Sequence, residues 1–444
     1  MASSLVLDRT QHNVETTPWN MTTRIAFRFC FAYFGLFCIG TAQIFFTVLG
    51  VFGSLLPETA VRWILMRPIL DWAAINIFGL DAALIYVDGS GSGDRAFDWM
   101  SLACWLVLAG VAMLIWSVLD RYRMNYATLH KWFRLFIRFC LAGQMIVYGA
   151  VKAIPTQMPF PSLDRLVQPF GGFSPMGVLW AQVGVSPPYE ILLGCAELLG
   201  GLLLILPRTT VLGALVCLAA TAQVFILNMT YDVPVKILSF HLLLLSLVLL
   251  APDFRRLASV FFSNGAVGPS TQPQLFRTRR ANRIALVAQV AVGLWILVPA
   301  ILGSWVAWDA YGGGREKSPL YGIWNVVEFS ADGEDRPPLL TDEDRLRRVI
   351  FDDPATVTYQ HMDDSLVHNG ATIDVDRRTI ALTNNDDESG TATFTFEQPA
   401  ADRLVLYGDL NGRKVRMSLE RLDTNTFTLM NRGFHWVQEY PYIT

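Results

Sequence analysis

NMTYDVPVKILSFHLLLLSLVLLAP, residues 228–252, decides the fold. Its second half is an apolar run without Asp, Glu, Lys or Arg, and Asp232, Lys236 and His241 lead into it. From Pro234 to Pro252 a helix rises about 28 Å, enough to cross about 30 Å of hydrocarbon. The stretch therefore reads as a membrane span, with charges at its entry that need an explanation.

Six similar runs lie near 24–52, 96–119, 131–152, 188–206, 210–229 and 282–308. The composition agrees: 52% of the 444 residues are hydrophobic and only 16% are charged, with a mean hydropathy of +0.37. An ordinary soluble enzyme of this size carries more charge. Residues 59–80 hold Arg62, Arg67, Pro68 and Asp71, so they read as an interfacial or re-entrant helix rather than a further span. The first 20 residues have no signal-peptide pattern, so the first span is expected to stay as an anchor.

Lys and Arg placement orients the chain. Arg121, Arg123, Lys131 and Arg134 follow the second span, Arg208 the fourth, and Arg255, Arg256, Arg277, Arg279, Arg280 and Arg283 the sixth. The alternate loops hold few basic residues, among them Arg62, Arg67, Arg165 and Lys236. The N-terminus is expected in the cytoplasm, and seven spans put the C-terminal part on the periplasmic or extracellular side of a plasma membrane. The six cysteines all fall in apolar segments without a CxxC pair, which argues for small core residues rather than a thiol relay.

From Tyr321 the pattern changes to alternation, as in ATVTYQHM, TATFTFEQ and RKVRMSLE, broken by SADGED, TNNDDESG and GDLNG. This predicts a meander of about eight or nine short strands, a small barrel or sandwich. Gly322-Ile323-Trp324 at its start and Asn431-Arg432-Gly433 at its end resemble a lipocalin-like barrel. In that fold a first-strand Trp plugs one end and a late Arg packs over it. Side chains or one small apolar ligand could fill such a barrel. The aromatic ending GFHWVQEYPY, 433–442, reads as a tail on the barrel or membrane surface, or as part of a ligand site.

The block from about 130 to 258 carries AELLGGLLL around Glu197, the Arg-Thr-Thr turn at 208–210, and an apolar span closing on Pro252-Asp253. These features resemble the DoxX-like membrane family, relatives of the small membrane subunits of quinone-linked oxidoreductases. The ending MNRGFHWVQEYP, 430–441, is similar to longer bacterial members with flanking spans and a C-terminal β-domain. The resemblance implies a four-helix core and a redox association, and no particular reaction.

The expected organisation follows. A cytoplasmic tail, 1–23, leads into membrane helices over 24–129 with an outer interfacial segment. The DoxX-like core, 130–258, is followed by a cytoplasmic linker, 259–281, a last span, 282–312, and an outer β-domain, 318–444. The fold class is a polytopic α-helical membrane protein with an all-β barrel at its C-terminus. The Pro- and aromatic-rich loop between the third and fourth spans, 155–190, is expected to fold back on the outer surface as a lid.

Polar residues inside the core are the candidate site. Glu197 and His241 lie roughly 12 and 10 Å deep from the same outer side, and are candidate proton carriers. Glu190 shares a face with Glu197 at the mouth. Gln144, Tyr148 and Lys152 recur every four residues on the third span, and Asn228 and Tyr231 close the fifth. Asp232 is placed to cap the sixth helix and to pair with Lys236, whose charge opposes the helix dipole. Such groups usually face a bundle interior or a wet cavity, or pin helices together. His, Lys or Tyr can donate to a quinone carbonyl, and carboxylates can carry protons to water.

No haem, iron–sulfur or metal motif is present, and GSGSGD at 89–94 lacks the context of a dinucleotide fingerprint. Its Asp94 reads more simply as a helix cap. Redox work would then use a bound quinone and a redox partner protein, with the lipid bilayer as surroundings and no nucleic acid. Two further readings remain: a non-catalytic protein for a lipophilic ligand, and a membrane anchor for the outer β-domain.

Overall fold

A computed structural model describes residues 18–80, 91–262, 274–383, 391–410 and 412–443. Most of the expected N-terminal tail, Gly89 and Ser90 of the GSGSGD stretch, the middle of the 259–281 linker and residues 384–390 lie outside them. The chain divides into two compact units. Met1–Gln157 joins Pro188–Trp305, and Met158–Pro187 joins Val306–Thr444.

The first unit is helical. Its helices are α1 (Met21–Gly40), α2 (Ala42–Leu49), α3 (Glu58–Ile64), α4 (Arg67–Asn76), α5 (Ala96–Leu119) and α6 (Ala127–Ala153). After α7 (Leu163–Val167) and α8 (Pro175–Gly184), which belong to the second unit, come α9 (Pro187–Ile205) and α10 (Thr210–Thr230). α11 (Lys236–Leu250), α12 (Phe254–Phe262) and α13 (Arg279–Tyr311) follow. Seven helices are long and apolar enough to cross a membrane, with α11 and α12 forming one, Lys236–Phe262. The first apolar run breaks at Thr41, whose extended backbone separates α1 from α2. Residues 59–80 hold only α3 and α4, of 7 and 10 residues, divided by Met66 at φ 55°. Large apolar side chains point away from the protein, among them Leu114 at 62% and Val118 at 72% exposure. Exposed apolar surface of that kind marks a contact with protein or membrane.

Glycine sets the closest crossing. A Cβ on Gly194 of α9 would fall 2.2 Å from the Ala153 nitrogen, and one on Gly149 of α6 would fall 2.5 Å from the Leu198 nitrogen. Backbone therefore packs directly on backbone where α6 and α9 meet. Gly200 and Gly201 continue the close packing, against Cys217 and Ile146. Cys38, Cys140 and Cys217 are buried, whereas Cys195 is exposed, so the expected core role does not extend to it.

The second unit is a closed antiparallel barrel. Strands β1 (Gly322–Ala331), β3 (Leu346–Phe351), β4 (Thr356–His361), β5 (Leu366–Asp374), β6 (Thr379–Thr383), β7 (Thr391–Ala400), β8 (Arg403–Leu410) and β9 (Arg413–Arg421) pair in chain order. β1 closes the ring on β9, and the two-residue β2 (Glu334–Asp335) hangs on β1. Alternation buries Val415, Met417 and Leu419 of β9 while their neighbours face out. The inward side chains, including Phe351, Phe394 and Leu406, form one apolar cluster.

Trp324 is buried in that cluster, and its indole N–H donates to the Leu320 carbonyl at 2.9 Å. Arg432 does not cover it. Its guanidinium lies 4.3 Å from the Tyr442 ring centre, because residue 432 follows the short α14 (Thr428–Asn431) outside the barrel. The arginine in register with Trp324 is Arg421 on β9. Gly322, at φ 152°, leaves room there, since a Cβ would come within 2.8 Å of the Arg421 Nε.

The segment expected as a lid groups with the barrel instead. Leu163 of α7 packs with Ile323 and Ile350. Gln360 donates to the Val167 carbonyl at 3.2 Å, and His368 stands 3.2 Å from the Asp164 carboxylate. The aromatic tail is open to solvent, with Trp436 90% exposed.

Candidate functional site

The α6–α9 crossing carries the strongest polar contact among the candidates. Lys152 lies in the last turn of α6, where a cation complements the dipole. Its Nζ donates to both oxygens of Glu197, at 2.8 and 2.7 Å. The two side chains are 7% and 6% exposed. The glycines flanking Glu197 bring the helices close enough for this short reach. Both groups are buried, so each charge depends on the other for compensation.

Two more α6 residues, Tyr148 and Gln144, extend the cluster, as the four-residue spacing implied. The Lys152 ammonium lies 5.4 Å from the centre of the Tyr148 ring. The Tyr148 hydroxyl accepts from Gln43 Nε2 at 2.9 Å. Gln144 Nε2 donates to the Thr47 hydroxyl at 3.1 Å and to the Gln43 carbonyl at 3.4 Å. Gln144 is fully buried, and its Oε1 has no hydrogen-bond partner among the described residues. Glu190, also buried, sits in the first turn of α9, the favourable end for a carboxylate.

His241 belongs to a different cluster. Its Nδ1 lies 2.6 Å from the Ile237 carbonyl, and its Nε2 lies 2.7 Å from the Tyr33 hydroxyl. A carbonyl only accepts, so Nδ1 carries the proton and Nε2 accepts from Tyr33. The ring stacks on Phe37 of α1, 3.9 Å centre to centre. Among the described residues no hydrogen bond or ion pair joins His241 to Glu197. Their similar depth put them on one level, but α11 turns His241 toward α1.

The outer turn before α11 explains the opening charges. Asp232 does not cap α11: it takes a left-handed φ of 52°, its side chain is 84% exposed, and it only pairs with Lys236 at 3.0 Å. The cap is Asp94, which accepts from the backbone N–H of Lys236 at 2.7 Å and of Ile237 at 2.9 Å. Lys236 Nζ also lies 3.8 Å from Asp94. Two carboxylates thus offset a cation at the positive end of a helix. The helix that follows Asp94, α5, is capped separately, by Asp98 accepting from the Arg95 N–H at 3.0 Å. Asn228 donates to the Ser239 hydroxyl at 3.0 Å and ties α10 to α11, and Tyr231 is the residue after α10.

Sequence reasoning missed Tyr33, Gln43, Thr47 and Asp94 as partners. Gln43 and Thr47, four apart in AQIFFTVL, are the polar pair of an apolar helix, and that spacing was the available signal. Nothing local links Tyr33 to His241 or Asp94 to Lys236.

No family model matches the chain, and no solved structure matches it. Over 129 residues it is 31% identical to the uncharacterized protein YwoB of Bacillus subtilis (strain 168). That stretch is 29% of this chain and 79% of the Bacillus protein.

Proposed function

The chain belongs to the family of that Bacillus protein, and on the residues of the α2–α6–α9 cluster we propose that it is an integral membrane protein of the DoxX-like type that binds a quinone-class lipophile there. Seven long apolar helices with outward apolar side chains support the membrane reading. The distribution of Lys and Arg supports a cytoplasmic N-terminus and a lipocalin-like barrel on the outer side.

The observation that carries the quinone reading is the buried Lys152–Glu197 pair beside Tyr148 and Gln144. Those residues offer what both forms of such a ligand need. The Tyr148 hydroxyl accepts from Gln43 and keeps its own proton to donate to a carbonyl. Gln144 Oε1 is a buried acceptor for a ring hydroxyl. A quinone, when bound, takes up two electrons and two protons. The Lys152 ammonium holds exchangeable protons next to Tyr148, the Glu197 carboxylate can take one up, and Glu190 marks a route toward the mouth. Electrons would come from a redox partner protein, and His241, bonded to Tyr33, stands apart as a helix pin.

Lipid extraction and mass spectrometry of the gently purified chain tests this. Wild type should retain quinone, and Tyr148→Phe, which removes one hydrogen bond, should retain about tenfold less. No quinone enrichment in folded wild type would overturn the reading. The anchor reading is favoured by one observation, that Lys152 spends two hydrogen bonds on Glu197. It is supported if Tyr148→Phe changes nothing while Glu197→Gln unfolds the bundle.

A further inference from the structure

We propose that the flank between α6 and α13 holds an acyl chain of an anionic phospholipid, with the headgroup on the arginines that open α13. This rests on the membrane reading and is independent of the quinone site. A groove of about 450 Å³ runs between the two helices, walled by Trp132 and Phe139 on one side and Ala285, Ala288 and Val292 on the other. Phe276 forms part of the lining and meets Trp132 edge-on at 5.7 Å. The amide in its wall is already engaged. Gln289 donates to the Ala285 carbonyl at 2.9 Å and accepts from the buried Arg138 guanidinium. At depth the groove therefore offers an occupant only apolar surface, which suits an alkyl chain and not a polar ligand.

Charge selects the headgroup. Arg279, Arg280 and Arg283 are exposed in the first turns of α13, a helix with no acidic residue in its first turn. Their charge adds to the positive end of the helix dipole. Among the described residues none of the three has an ion-pair partner. Arg280 lies one turn before Ile284, so it continues the face that lines the groove through Ala288 and Val292. From Arg280 to Val292 the helix rises about 18 Å, roughly one leaflet's share of the hydrocarbon. An anionic headgroup on the arginines thus places its tail in the groove. Basic pockets between helices on the cytoplasmic side select anionic lipids for this reason.

Native mass spectrometry of the full chain in detergent, titrated with dioleoyl phosphatidylglycerol or dioleoyl phosphatidylcholine, tests the proposal. Wild type should hold the phosphatidylglycerol at least about tenfold more tightly. The triple variant Arg279→Gln, Arg280→Gln, Arg283→Gln should bind the two lipids equally, and Ala288→Trp, which fills the groove, should lose both. Equal binding by wild type, or a preference surviving in the triple variant, overturns the headgroup assignment. Undiminished binding by Ala288→Trp overturns the groove. Release of the chain from membranes by a carbonate wash would instead reject the membrane reading.

Discussion

At the residue scale, Lys152 and Glu197 separate a pin from a reactive centre. Removing either partner alone leaves the other as an uncompensated buried charge, which costs about 3–5 kcal/mol. Replacing both with methionine removes the charges together and is expected to be nearly neutral for stability. Thermal unfolding of the two single variants and the double variant in detergent measures the coupling. A double variant as unstable as the singles would show that the pair contributes more than mutual neutralisation. A stable double variant that no longer retains quinone would assign the charges to ligand handling. Tyr148 and Gln144 were legible because four-residue spacing on one helix is a local property. Gln43 and Thr47 obey the same rule, and the apolar weight of their helix hid them.

At the element scale, α11 depends on a distant cap. Asp94 precedes Lys236 by 142 residues, and its carboxylate satisfies two backbone N–H groups that α11 leaves open. Asp94→Ala should destabilise the bundle by about 0.5–2 kcal/mol. Asp232→Ala should change little, because an exposed ion pair contributes about 0–1 kcal/mol. Chemical denaturation of both variants checks the contrast, and equal losses would contradict the assignment. Helices and strands were readable because apolar runs and period-two alternation depend on neighbouring residues. Which residue caps α11 and which aromatic residues hold His241, 208 positions from Tyr33, depends on packing between segments, and one sequence does not encode that pattern locally. The same holds for Arg432 and Arg421: the Asn431-Arg432-Gly433 piece was visible, the register of β9 against β1 was not.

At the scale of the whole molecule, the loop Met158–Pro187 is sewn to the barrel, and Asp164 is one of its stitches. Burial pushes the Asp164 carboxyl up, but hydrogen bonds from the Ser162 hydroxyl and His368 outweigh it and hold the group below its ordinary value. A depressed carboxylate contributes stability above its unfolded pKa, and that contribution is lost as pH falls through the folded one. Hydrogen exchange over Leu163–Val167 should therefore speed up relative to the barrel strands once pH drops below about 4. Asp164→Asn should remove that acid-dependent part.

The closure of β1 on β9 also dictates an order of events. Trp324 pairs with Arg421 at the far end of the second unit, so the ring has two open edges until its last strand is present. The loop closed by that contact is long, and such pairings form late because chain entropy opposes them. Until β9 is made, the unit carries exposed β edges, and edges of that kind invite aggregation. Once shut, only the two-residue β2 keeps an unpaired side among the described strands. Partners of the mature barrel must then recognise its loops, its outward side chains or its aromatic tail, since strand addition has almost nowhere to begin.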